Sequence, residues 1–174
     1  DSSTAGAILN SGDIAVTGGG GVGAHGILVN TALAATGSVE NAGTISASGT
    51  GGDESGTAGI YIFSMESGAI LSNSGTITAS PVQGAFSLYV ETGNGASISN
   101  SGRLDGGLYL GGASLSSTGT VAMPVGVTGF IGGDYIQSGS GVLEIGVESS
   151  SVGGYGQLRV DGTADLTGSD RVDV

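Results

Sequence analysis

The chain repeats itself, and the repeat limits what it can fold into. AILNSGDIAV (7–16), GSVENAGTISA (37–47), GAILSNSGTITA (68–79) and GASISNSGRLDG (95–106) share one pattern. Each reads Gly or Ala, an aliphatic residue, Asn, Ser or Ala, Gly, any residue, then an aliphatic residue. The asparagines are Asn10, Asn41, Asn73 and Asn100, and GASLSSTGTVAM (112–123) is a degenerate fifth copy with Ser117 in their place. Self-similarity at spacings of roughly 20–50 residues marks repeat architectures, in which each unit covers its neighbour's apolar face.

A second motif falls between the copies: HGILV (25–29), AGIYIF (58–63), FSLYV (86–90) and GGLYL (107–111). Its apolar residues alternate, as in a strand with one buried face. Leu88 and Leu108 are about 20 residues apart, too close for a βαβ unit of about 30 but enough for one coil of a parallel β-solenoid. The expected fold is therefore all-β, a parallel β-helix whose inward residues stack about 4.8 Å apart. Three inward ladders are expected: Ile8, Val39, Ile70, Ile98 and Leu115; Ile14, Ile45, Ile77, Leu104 and Val121; Ile27, Ile60, Leu88 and Leu108. The Asn–Ser/Ala–Gly triplet is read as a structural turn ladder, with the asparagine amides stacked and the glycine supplying positive φ.

Composition agrees with strands joined by tight turns. The chain has 174 residues, 38 of them glycine. Lysine is absent and the arginines are Arg103, Arg159 and Arg171, which leaves little material for amphipathic surface helices. Gly21, Gly23 and Gly26 spell G-x-G-x-x-G after an apolar run, and Glu40 lies where a ribose-binding acid would be sought. The repeat contradicts that reading: HGILV belongs to the second motif, and no other member carries the glycine pattern before it. The glycines of 18–23 are assigned to a variable loop, matched by 48–59 and 80–85.

The formal net charge is −12, so nucleic acid and acidic membrane surfaces are discounted as partners. Cysteine is absent, which excludes disulfide and thiolate chemistry. No apolar run is long enough for a membrane-spanning helix. Asp1 does not resemble a natural start, and the chain is read as a piece of a longer polypeptide.

From about Met123 the triplet disappears while the alternation continues. Asp134-Tyr135-Ile136-Gln137, then Gly141-Val142-Leu143-Glu144-Ile145, then the run from Gln157 through Leu158, Val160, Gly162, Ala164 and Leu166 to Gly168 follow in order. This stretch closely resembles the C-terminal end of autotransporter passenger domains, the exported part of type V secretion proteins. The resemblance implies a right-handed, pertactin-like parallel β-helix on the bacterial cell surface, or secreted after cleavage. It divides the chain into β-helix coils (1–122), a connector (123–133) and autochaperone-like capping coils (134–174) that fold first and template secretion. It also implies a partner β-barrel translocator C-terminal to this chain. Tyr135, Gln137, Leu143, Ile145, Leu158, Val160, Gly162, Ala164, Leu166 and Gly168 would form the core and turns of the cap.

Passengers include enzymes and adhesins, so chemistry has to come from sites. His25 is the only histidine, and neither a G-x-S-x-G elbow nor a G-D-S-L block is present. One histidine without cysteine does not make a typical zinc site, and Asp53-Glu54 or Asp161/Asp165 lack the G-G-x-G-x-D array of calcium-binding solenoids. No cofactor, metal or catalytic residue is expected. The expected function is a non-catalytic stalk that presents loops 17–24 and 48–58 to host surfaces or sister cells. The alternatives are the stalk of a passenger with an N-terminal protease or esterase module, or a β-helix polysaccharide-active enzyme.

Overall fold

A computed structural model describes residues 3–19, 23–49, 56–80, 82, 84–166 and 172–173. Among them no helix occurs; the chain winds through coils of three short strands. The first coil is β1 (Ser3–Thr4), β2 (Ala7–Asn10) and β3 (Asp13–Thr17); the second is β4 (His25–Leu33), β5 (Ser38–Asn41) and β6 (Thr44–Ser48). The third is β7 (Ala58–Met65), β8 (Ile70–Asn73) and β9 (Thr76–Ala79); the fourth is β10 (Phe86–Thr92), β11 (Ser97–Asn100) and β12 (Arg103–Asp105). The fifth is β13 (Gly107–Leu110), β14 (Ser114–Ser117) and β15 (Thr120–Met123); the sixth is β16 (Thr128–Ile131), β17 (Tyr135–Gln137) and β18 (Val142–Ile145). The last is β19 (Gln157–Val160), β20 (Ala164–Asp165) and β21 (Val172–Asp173).

Every third strand joins the same sheet, giving three 7-stranded sheets: β1 to β19, β2 to β20 and β3 to β21. Each strand pairs in parallel with its equivalent in the next coil, which makes the fold a parallel β-helix. The G-x-G-x-x-G stretch therefore feeds a strand, β4, and opens no helix, which removes its nucleotide-binding context.

Two of the expected core ladders hold residue for residue. Ile14, Ile45, Ile77, Leu104 and Val121 pair in succession along the third sheet, and Leu143 continues the row. Ile27, Ile60, Leu88 and Leu108 do the same in the first sheet. Stacking like on like leaves no cavity between rungs, and full burial of each aliphatic side chain stabilises by about 1.5–3 kcal/mol. The remaining ladder needs one correction. Leu71, not Ile70, pairs with Val39 and Ile98, while Ile70 pairs with Ser38 and Ser97 and is 52% exposed. Leu71 stands two residues before Asn73, as Val39 stands before Asn41, and on a strand a slip of one residue reverses the face.

The triplet works differently from the sequence reading. Its asparagines close strands and point inward, and Asn94 alone among the described non-glycine residues has positive φ. Nor do its glycines need positive φ; they need to be thin. A Cβ on Gly75 would stand 2.0 Å from the Gly43 carbonyl oxygen, and one on Gly102 would stand 1.9 Å from that of Gly75. Glycine lies on glycine from coil to coil, and the backbone fills the space a side chain would take.

The stretch 123–133, read as a connector, contains β16, which pairs with β13 on one side and β19 on the other, so the solenoid passes through it without a break. Coil length varies most at one corner. Between the second and third sheets Ser74 and Gly75, or Ser101 and Gly102, suffice. Between the third sheet and the first the link ranges from Gly106 alone to the whole of 146–156.

Candidate interaction surface

Inside the solenoid the asparagines form one hydrogen-bonded column. Asn10 Nδ2 donates to Asn41 Oδ1 at 2.7 Å, Asn41 to Asn73 at 2.7 Å, and Asn73 to Asn100 at 2.8 Å. Asn100 Nδ2 then donates to Ser117 Oγ at 3.1 Å, so the degenerate copy keeps the column intact. Each amide nitrogen has a second hydrogen, which Asn41 and Asn73 give to the carbonyls of Gly43 and Gly75 at 3.1 Å. Gln137 pairs with Ser117 on the next rung and donates to the Gly141 carbonyl at 2.8 Å, which places a buried amide where the triplet had vanished from sequence. From Asn41 to Ser117 the column is buried and hydrogen-bonded, so it holds the coils together.

The expected cap residues separate by depth. Tyr135 is buried, its hydroxyl bonded to Gln137 Oε1 at 2.5 Å, and burial pushes its pKa up to about 12. Leu143, Ile145, Leu158 and Val160 are partly buried against the main core. Leu166 differs from expectation at 41% exposed, and Ala164, which pairs with Tyr135, is exposed as well. Both lie in the last coil, where no described strand stacks on β20. Gly162 is required for close approach, since a Cβ there would meet the Gly133 carbonyl at 2.5 Å; Gly168 lies outside the described residues.

Among the described residues, no hydrogen bond or ion pair joins His25 to a serine or a carboxylate. Its ring packs 5.1 Å from Tyr61, burial lowers its pKa, and its buried Nδ1 has no hydrogen-bond partner. Asp161 is bonded to Arg159 at 2.7 Å, and Asp53-Glu54 lies outside the described residues. Among the described residues no three His, Asp or Glu gather as a metal site would require. Arg103 borders an open cleft of about 400 Å³, but it is held by Glu144 at 2.8 Å and Asp105 at 3.0 Å. Those contacts, Glu144 first, raise its pKa further.

The outer face of the first sheet is different. Inward residues alternate with outward ones, so Ile60 and Ile62 leave Tyr61 facing out, Leu88 and Val90 leave Tyr89, and Leu108 and Leu110 leave Tyr109. In-register pairing then stacks Leu28, Tyr61, Tyr89, Tyr109, Phe130 and Arg159 in one row. Tyr61 and Tyr89 stack with centroids 5.0 Å apart and planes 4° apart; Tyr89 and Tyr109 are 4.8 Å and 17° apart; Phe130 follows at 5.5 Å. Phe86 meets Tyr89 edge-on at 5.1 Å, and the Arg159 guanidinium closes the row 5.4 Å from the Phe130 centroid. Tyr61 donates its hydroxyl to Glu91 Oε2 at 2.7 Å, and burial together with that carboxylate pushes its pKa up to about 12.

Sequence reading that follows the inward members of HGILV, AGIYIF, FSLYV and GGLYL passes over this row. The signal is nevertheless present, because each tyrosine directly follows an inward aliphatic residue. The chain has five tyrosines and three phenylalanines. Tyr61, Phe63, Phe86, Tyr89, Tyr109 and Phe130 all belong to strands of this one sheet and none of them is in the buried core, whereas Tyr135 is. Comparison with protein-family models, curated proteins and solved structures finds no match.

Proposed function

We propose that this chain is part of an autotransporter passenger, in which it serves as a non-catalytic rod that carries an interaction surface outside the cell. The observation that carries the reading is the unbroken stack of coils, tied inside by side-chain hydrogen bonds from Asn10 to Ser117. Seven rungs at about 4.8 Å give a rod on the order of 30 Å, with the same three faces presented along its length. The Tyr135–Gln137, Gly141–Ile145 and Gln157–Gly168 pieces support the passenger assignment, and the acidic composition suits a surface that stays soluble and repels non-specific partners.

On this reading the outward aromatics, together with loops 17–24 and 48–58, make the contacts with host surfaces or sister cells. The test is display of the full-length protein on cells. Attachment or cell–cell aggregation should appear with it, and fall when both loops are deleted or when Tyr89 and Tyr109 are replaced by alanine. Unchanged behaviour in both variants would leave the chain as a spacer only. Hydrolysis of an ester or peptide that disappears with His25→Ala would replace the rod reading with an enzymatic one.

A further inference from the structure

Globular proteins seldom leave a continuous aromatic strip in water unless something covers it. In this sheet aliphatic residues face the core and the rings lie on the outer face. We propose that this face binds a neutral, extended polysaccharide chain lying along the aromatic row, with one sugar unit per rung. The inference rests on reading the face as a contact surface, and it adds the chemistry of the ligand.

Three observations select that ligand. The first is period. Ring centroids recur at 5.0, 4.8 and 5.5 Å, close to the length of one pyranose in an extended glycan. An extended peptide advances about 3.3 Å per residue and falls out of step within a few rungs. The second is charge. On a chain of net charge −12, the side chains of the row from Leu28 to Phe130 are themselves uncharged; Glu91 beside them is engaged by the Tyr61 hydroxyl, and Arg159 at the row's end is paired with Asp161. An uncharged ligand matches such a strip, whereas nucleic acid is repelled and a second copy would bring another −12. The third is the character of tyrosine: with the faces of Tyr61, Tyr89 and Tyr109 stacked on one another, the row presents ring edges and hydroxyls outward, and the hydroxyls match those of a sugar. Stacking has already ordered the rings, so binding costs little further side-chain entropy. Beside them the Glu91 carboxylate accepts from Tyr61 and has capacity for further hydroxyl donors.

Isothermal titration of the chain with cellohexaose and laminarihexaose tests this, with a heparin hexasaccharide as the polyanionic control. At least one neutral hexasaccharide should bind and heparin should not. Tyr89→Ala and Tyr109→Ala should each weaken binding roughly three- to tenfold, while Tyr89→Phe, which keeps the ring, should lose less. Both alanine variants give up ring stacking and should melt somewhat lower, so binding is compared below the transition, where circular dichroism shows each variant folded. Absence of binding by both neutral sugars, or equal binding by wild type and variants, overturns the proposal. Concentration-dependent self-association that the same substitutions abolish also overturns it, while leaving the face as a contact surface for a second copy. Loss of cell attachment in Tyr89→Ala without any sugar binding does likewise in favour of a protein partner.

Discussion

Asn73 is held from both sides. Its carbonyl oxygen accepts from Asn41, and its nitrogen donates to Asn100 and to the Gly75 carbonyl. Replacing it with alanine strands a donor above and an acceptor below in a buried column, at a cost of roughly 2–4 kcal/mol. Asn10 starts the column and only donates to it, so Asn10→Ala should cost less than half as much. Urea titration of the two variants separates them, and equal losses would mean that the column is not cooperative. His25 makes a different test. Burial lowers its pKa below the ordinary 6.5, so just below pH 6.5 the unfolded chain binds more protons than the folded one. Stability attributable to His25 is therefore fully present above pH 6.5 and falls as pH drops from there toward the lowered value. The difference in melting midpoint between wild type and His25→Gln should shrink over that window and be flat above pH 7.5.

Within the coil, the glycine of the triplet sets how closely one turn can lie on the next. Gly75 has the Gly43 backbone 2.0 Å from where its Cβ would be, and a carbonyl cannot rotate away as a side chain could. Gly12 occupies the same position in the first copy and has nothing within 4 Å. Gly75→Ala should destabilise by about 3 kcal/mol or more, or prevent folding, whereas Gly12→Ala should be neutral or slightly stabilising. Thermal melts of the pair decide it, and two equal midpoints would contradict the stack. The contrast also shows what the sequence makes legible. Recurrence disclosed the coil, two or three short strands in each, and the Asn10–Asn100 column, because equivalent positions must carry equivalent residues to stack. It did not disclose why the glycine recurs, since a thin residue and a positive φ leave the same letter. Ile70 and Leu71 are adjacent and both aliphatic, so only the count back from Asn73 chooses between them. The aromatic row was present in the letters but belonged to the outward face, which core patterning ignores.

Across the whole rod, burial is not uniform. The fully buried side chains lie between Leu33 and Tyr135, while Ile8 and Ile14 at one end and Leu143, Ile145, Leu158 and Val160 at the other are partly buried. Hydrogen exchange in denaturant should therefore show the strongest protection in β7–β16, with both ends opening earlier. Protection of 134–166 at or above the level of β7–β16 would favour the autochaperone role that the C-terminal resemblance implies. Coils stacked by nearest-neighbour contacts need not open in one step, so two or more transitions are expected.

The corner between the third sheet and the first accepts Gly106 alone in one coil and the whole of 146–156 in another, while the strands of the third sheet that lead into it keep their register. The backbone there is committed to neither the amide column nor the glycine stack. A chain built this way has a grafting port on each coil: an epitope, a purification tag or a small folded domain inserted beside Gly106 should ride on the rod without disturbing it. The same insertion between Ser74 and Gly75 would cut the column and the stack at once. The first five coils thus pair a corner open to new cargo with one of only two residues that admits none, and a rod of this kind can change what it displays without changing how it stands.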